Sequence, residues 1–131
     1  QGNILGIEDV GAVNKHQPHL KNVFQTGVMS WNPLMMANLW KTFDPNYMEM
    51  YRGDGEYLNA ILNPMQRDLM QHLYPGRLKS YKYQIYPDKL DDKTSIVCFH
   101  GRPSIIQAMS ESVTTPMATY HPQNWIQDYW R

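Results

Sequence analysis

Cysteine is almost missing from this sequence: Cys98 is the single one in 131 residues. One thiol excludes an internal disulfide, and its place inside an apolar run predicts a buried, unreactive side chain in a reducing compartment. An excess of charge of either sign is lacking too, since Lys plus Arg and Asp plus Glu both come to 12. No net field therefore draws the chain to nucleic acid or to an anionic membrane surface. No apolar run approaches the roughly 20 residues needed to cross a bilayer, and no basic-then-apolar leader opens the sequence. The expectation is a soluble cytoplasmic protein with neither a nucleic-acid nor a membrane partner. Phosphate-cradling glycine loops, a nucleophile elbow and clustered Cys/His zinc spacings are also missing. The aromatic residues do not interleave with a basic face, which argues against a platform for stacked bases.

The length suits one domain with its own core and leaves no room for two full domains. Residues 1–21 show little periodicity and many loop formers, which predicts an irregular N-terminal segment. A chain beginning at Gln1 in such a segment looks like one that starts inside a longer protein, or one that has been trimmed. Residues 22–131 carry the regular patterns.

"NVFQTGVMSW", Asn22 to Trp31, mixes β-branched and aromatic residues and predicts a buried strand with a close backbone approach at Gly27. A helix follows. Asn32 suits the cap, Pro33 suits the first position, and Met36, Leu39, Trp40 and Phe43 recur at three-and-four spacing up to a stop at Asp44-Pro45. A second helix begins near Asp54, with Tyr57, Leu58, Ile61 and Leu62 on one face, and is bent or ended by Pro64. Partial alternation predicts a strand over 78–86, a turn through "PDKLDDKTS", and a strand over 95–99 buried on both faces in a central sheet. "HPQNWIQDYWR" predicts an amphipathic last helix with Trp125 over Tyr129 and Ile126 over Trp130. The fold class is α/β or α+β.

Two constellations bear on chemistry. Asp54 and Glu56 near a helix start are either a cap with a solvated first-turn carboxylate or a carboxylate aimed into a cleft. His100, Gly101 and Arg102 at a strand end are either hydrogen-bonded structure or a place for a metal or a phosphate: imidazole ligates metals, glycine admits close approach, and a guanidinium matches two phosphate oxygens. His16 and His19 read as surface loop, and His72 and His121 lack a partner pattern.

Three stretches, in order, resemble one family. "FQTGVMSWNP" resembles the N-(S/T)-G-V strand of glycogenin-like glycosyltransferases of the GT-A fold, "GDGEYLN" their G-D-Q-x-x-L-N helix start, and "VCFHGRP" their closing H-x-G segment. The nearest likeness is to glycosyltransferase-like proteins of phages and bacteria, with Ser80-Tyr81-Lys82, Val97 to Pro103 and the tryptophan-rich end in matching order. The resemblance covers about residues 22–131 and corresponds to the C-terminal portion of a GT-A mixed sheet with its flanking helices. It implies a nucleotide-sugar donor, an acceptor of unknown nature and a divalent metal, Mn2+ or Mg2+. By position, His100 would be the metal ligand, with Gly101 and Arg102 at the departing diphosphate and Lys82 as a further phosphate contact. Asp54 would line the sugar and acceptor side, and Thr26 and Gly27 would floor the acceptor site. Gln25 and Gly55 stand where the family has asparagine and glutamine. The Asp-x-Asp donor half has no counterpart here, since neither "IEDV" nor "LDDK" supplies it. The metal therefore belongs to a completed site, with a second domain or polypeptide as partner, and a non-catalytic binding or structural module is the alternative.

Overall fold

A computed structural model of the chain describes residues 4–8 and 24–130. Helices and short strands are mixed, and the chain divides between Pro75 and Gly76 into two compact units. Each unit has its own buried cluster among the described residues.

The first unit is built on a three-stranded sheet in the order β2-β1-β3, with β1 over Ile4–Glu8, β2 over Phe24–Ser30 and β3 over Arg67–Leu69. β1 pairs antiparallel with β2 and parallel with β3. The central strand thus falls within the segment expected to be irregular. Ile4 and Ile7 are buried in it, and its isolated "ILGI" was too short to show a period. The register slips from Leu5↔Ser30 to Ile7↔Gln25, so β2 holds extra residues around Thr26 and Gly27. Such a bulge bends a strand and re-aims its side chains.

The close approach lies elsewhere than predicted. A Cβ on Gly27 would meet only Ile7 Cδ1, at an ordinary 3.6 Å, whereas a Cβ on Gly6 would fall 2.2 Å from the ring of Phe24. Gly6 is what lets Phe24 lie flat over β1. β2 is an edge strand with Phe24 its only buried residue, not the buried strand predicted from its composition.

Helix α1 spans Pro33–Thr42, with the Asn32 carboxamide accepting from Leu34 N at 2.9 Å and Pro33 in the first turn. α2 is the single turn Tyr47–Met50 and α3 is Asp54–Ile61. A turn over Pro64–Gln66, capped by Asn63, leads into β3, and the short α4 covers Met70–Leu73. Leu58 and Leu62 of the predicted α3 stripe join Ile4, Phe24 and Leu69 in the core, while Ile61 is exposed. Each such burial contributes about 1.5–3 kcal/mol. α1 buries no residue, and Trp40, expected on its core face, is 80% exposed.

The second unit contains the parallel pair β4 (Leu78–Ser80) and β5 (Ile96–Cys98) and the hairpin β6–β7 (Val113–Thr114 and Thr119–Tyr120). Two predictions change here. The strand expected over 78–86 ends at Ser80, and Tyr81–Ile85 close a wide helical turn in which Tyr86 N donates to Tyr81 O at 2.8 Å. Tyr81 and Ile85, four apart, are both buried, so the apparent alternation was a helical face. β5 is half-buried and, among the described residues, pairs only with β4 rather than sitting at the centre of a wide sheet. Helix α5 (Ile105–Ser110) starts on a Ser104–Gln107 capping box. Asn124–Asp128 form a 3-10 turn in which Ile126 is buried and Trp125 meets Tyr129 edge to face at 6.2 Å. The core is Tyr81, Ala108, Tyr120 and Ile126. Two of its polar atoms, Tyr81 Oη and Trp125 Nε1, are buried with no partner among the described residues. No helix among the described residues is long and apolar enough to cross a membrane.

Candidate functional site

In the first unit, the bulge of β2, the start of α3 and β3 together border a cleft of about 790 Å3. Thr26, Arg52, Asp54, Asn59 and Arg67 face it, so two of the three residues picked out in this half are brought to one cavity. Gly27 lies next to Thr26 on the bulge and is exposed. Asp54 is the first residue of α3 rather than its cap, which is Gly53. Its carboxylate accepts from Gly55 N at 2.8 Å and is otherwise open to solvent, where the free amides of the helix start favour a negative charge. Glu56 is committed locally, accepting from Arg52 N at 2.6 Å.

Asn59 organises this cleft and was not singled out from the sequence, although it ends the "GDGEYLN" stretch. Its Oδ1 accepts from Phe24 N at 3.1 Å and from Arg67 Nη1, and its Nδ2 donates to Phe24 O and Gly55 O, both at 2.7 Å. Both donor hydrogens and both lone pairs of the amide are used. One side chain thus ties the edge of β2 to α3 and fixes the guanidinium of Arg67 at the cleft. Arg67 and Arg52 had no motif to mark them.

In the second unit, the end of β5 gathers Lys82, His100 and Gly101. His100 Nε2 lies 2.6 Å from Oγ of Ser80, a buried hydroxyl at the end of the neighbouring strand. The imidazole also stacks on Tyr83 at 5.5 Å, and Lys82 Nζ lies 5.8 Å from the same ring. Gly101 has φ +68°, a backbone region that side chains resist, and a Cβ there would be 3.6 Å from Lys82 Nζ. Arg102 is exposed, and the Pro103 that follows is buried. Cys98 is half-buried, and burial pushes its thiol up from the ordinary value, which suits the unreactive role expected of it.

No family model matches this chain, and neither a curated protein nor a solved structure matches it. The "LDDK" stretch forms a turn in which Asp91 accepts from Lys79 Nζ at 2.6 Å, Thr94 Oγ1 at 2.7 Å and Thr94 N at 2.9 Å. The Lys79 hydrogen bond, helped by Thr94, holds its carboxyl well below the usual range. His121 Nδ1 lies 3.1 Å from Ser112 Oγ, His72 is exposed, and His16, His19 and the acidic part of "IEDV" after Glu8 lie outside the described residues. Among the described residues no three His, Cys, Asp or Glu side chains are grouped to hold a metal ion. A metal at His100 would therefore need further ligands from outside the described residues.

Proposed function

We propose that the chain is the acceptor-side and diphosphate-closing part of a GT-A type glycosyltransferase, moving a sugar from a nucleotide-sugar donor to an acceptor once a donor half completes it. The observation that supports this reading is the convergence of Thr26 and Asp54 on one polar cleft whose Arg67 is held in place by Asn59. A cleft with a hydroxyl, a carboxylate and guanidinium groups suits a polyhydroxylated ligand, because each sugar hydroxyl both donates and accepts. Asp54 would accept a hydrogen bond from an acceptor hydroxyl. Arg102 and Lys82 would lower the charge on a departing diphosphate, which is where such transfer gains most of its rate. Mn2+ or Mg2+ belongs to this reading only with ligands from outside the described residues, His100 being this chain's contribution.

A second reading, a non-catalytic sugar-binding module or subunit on the same scaffold, is favoured by the commitments of His100 to Ser80 and of Glu56 to the Arg52 amide. Calorimetric titration of the chain with UDP, with and without Mn2+, separates the two. Binding that strengthens with Mn2+ and weakens at least tenfold in Arg102→Ala supports the transferase reading. No heat from a cooperatively melting chain leaves the module, or a donor site that forms only with the missing half.

A further inference from the structure

The first unit has a second cavity that the reading above does not use. It encloses about 330 Å3 between Phe43, Tyr47, Tyr51 and Tyr57, with Arg52 and Asp54 at its edge. Phe43 meets Tyr57 edge to face at 5.5 Å, and Tyr47 and Tyr51 lie 5.5 and 5.6 Å from the same ring. All four rings are half-buried rather than sealed into the core. Beyond them Trp40 stacks nearly parallel on Phe43, at 6.4 Å and 6°, and is 80% exposed. Aromatic area left open beside a cavity is what ligand-binding grooves offer. Arg52, Gly53 and Asp54 line this cavity and the polar cleft alike, so the two open onto the same three residues.

The chemistry of the lining selects the ligand. Ring faces want an apolar partner, whereas the Arg52 guanidinium and Asp54 carboxylate at the edge and the hydroxyls that three of the rings carry want polar ones. A pyranose ring has both, with a C–H face that packs on aromatic rings and equatorial hydroxyls at its edge. A purely apolar partner would leave the rim groups dry and unpaired. We infer that this aromatic cleft is a second sugar subsite, so that the chain's carbohydrate ligand is an oligosaccharide running from the polar cleft past Asp54 onto Tyr51 and Tyr57. Trp40 and Phe43 form its outer platform. The inference rests on the proposed reading of the polar cleft as a sugar site.

The test is titration of the full chain with a panel of defined glycans from one to six rings, repeated with Tyr51→Ala and Trp40→Ala. Affinity should rise at least tenfold from one ring to two or three for some linkage in the panel. Tyr51→Ala should abolish that gain and Trp40→Ala should reduce it several-fold. Trp40→Ala removes an exposed ring and leaves the core intact, and Tyr51→Phe, which keeps the ring, should retain most of the gain if Tyr51→Ala melts early. A panel with no gain beyond one ring, or a gain that survives both alanine variants, overturns the inference. So does self-association that Trp40→Ala removes in the absence of any glycan gain, which would assign the surface to protein contact. Monosaccharide binding without a length effect would sink this inference alone. A tyrosine-dependent length effect in a chain that ignores UDP would leave this inference standing on the sugar-binding module.

Discussion

Replacing Asn59 with alanine should cost the first unit far more than a half-exposed asparagine usually does. The side chain saturates four partners: the N–H and C=O of Phe24, the C=O of Gly55 and the guanidinium of Arg67. A neutral hydrogen bond contributes about 0.5–1.5 kcal/mol net and one to a charged group about 1.5–3. The Gly55 carbonyl already serves the helical ladder of α3, so its loss adds little. The two Phe24 groups at about 1 kcal/mol each and the Arg67 bond at about 1.5, reduced by water reaching the vacated edge, sum to roughly 3 kcal/mol. For a unit of this size that is a fall in Tm of about 12–24 °C. Urea and thermal denaturation followed by far-UV circular dichroism would measure it. Asn63→Ala is the comparison, since Asn63 accepts from Met65 N at the exposed start of a turn and its cap should be worth about 1 kcal/mol. Asn59→Asp keeps the acceptor but turns a carboxylate toward two carbonyl oxygens, and should recover less than half of the loss. A cost below about 1 kcal/mol for Asn59→Ala, equal to that of Asn63→Ala, would refute the claim that this amide ties β2 to α3.

Four further outcomes follow from other parts of the molecule. Gly6→Ala forces the Phe24 ring aside and should destabilise by about 1–3 kcal/mol or more, with partial rescue by Phe24→Leu, read in the same denaturation experiment. Gly101→Ala meets positive φ and should cost about 1–2 kcal/mol in the second unit, whereas glycine at Arg102 should not. Tyr81→Phe deletes a buried hydroxyl with no partner among the described residues and should be neutral or stabilising by up to about 1 kcal/mol; a clear loss of stability would mean that the hydroxyl is satisfied. Asp91 has its carboxyl depressed in the folded chain, chiefly by the Lys79 hydrogen bond, so its contribution is present above the unfolded value near 3.8 and fades as pH falls below it. Lys79→Met should flatten that acid limb of the stability curve, as pH-dependent melting would record.

The parts of the fold that could be read from the sequence are those fixed by local chemistry. Asn32-Pro33 specify the start of α1, because a short acceptor and a residue without an N–H suit the first turn whatever surrounds them. The three-and-four spacing of Leu58 and Leu62 likewise placed α3 against the core. Non-local features were harder. Ile4–Glu8 become the central strand only through partners about 20 and 60 residues away, which no window of the sequence contains. "SYKYQI" alternates like a strand, yet Tyr81 and Ile85 are buried together on one helical turn, and Tyr81 belongs to the second core. Trp40 fits the apolar stripe of α1 yet is exposed, because α1 turns Met35, Met36 and Leu39 to the core instead. The candidate site follows the same division. Asp54 and Thr26 were visible through their motifs, whereas Asn59 and Arg67 gain their roles from a bond between α3 and β3 that spacing does not announce.

Amide NMR of the isotopically labelled chain, titrated with UDP-glucose, UDP-galactose and the free mono- and oligosaccharides of the glycan panel, reports whether the polar cleft of the first unit receives a sugar. Saturable shifts are expected at Thr26, Gly55 and Asn59 with at least one of these ligands, weakened at least tenfold by Asp54→Asn. A well-dispersed spectrum whose cleft amides stay fixed through millimolar concentrations of all of them would mean that the cleft is not a sugar site.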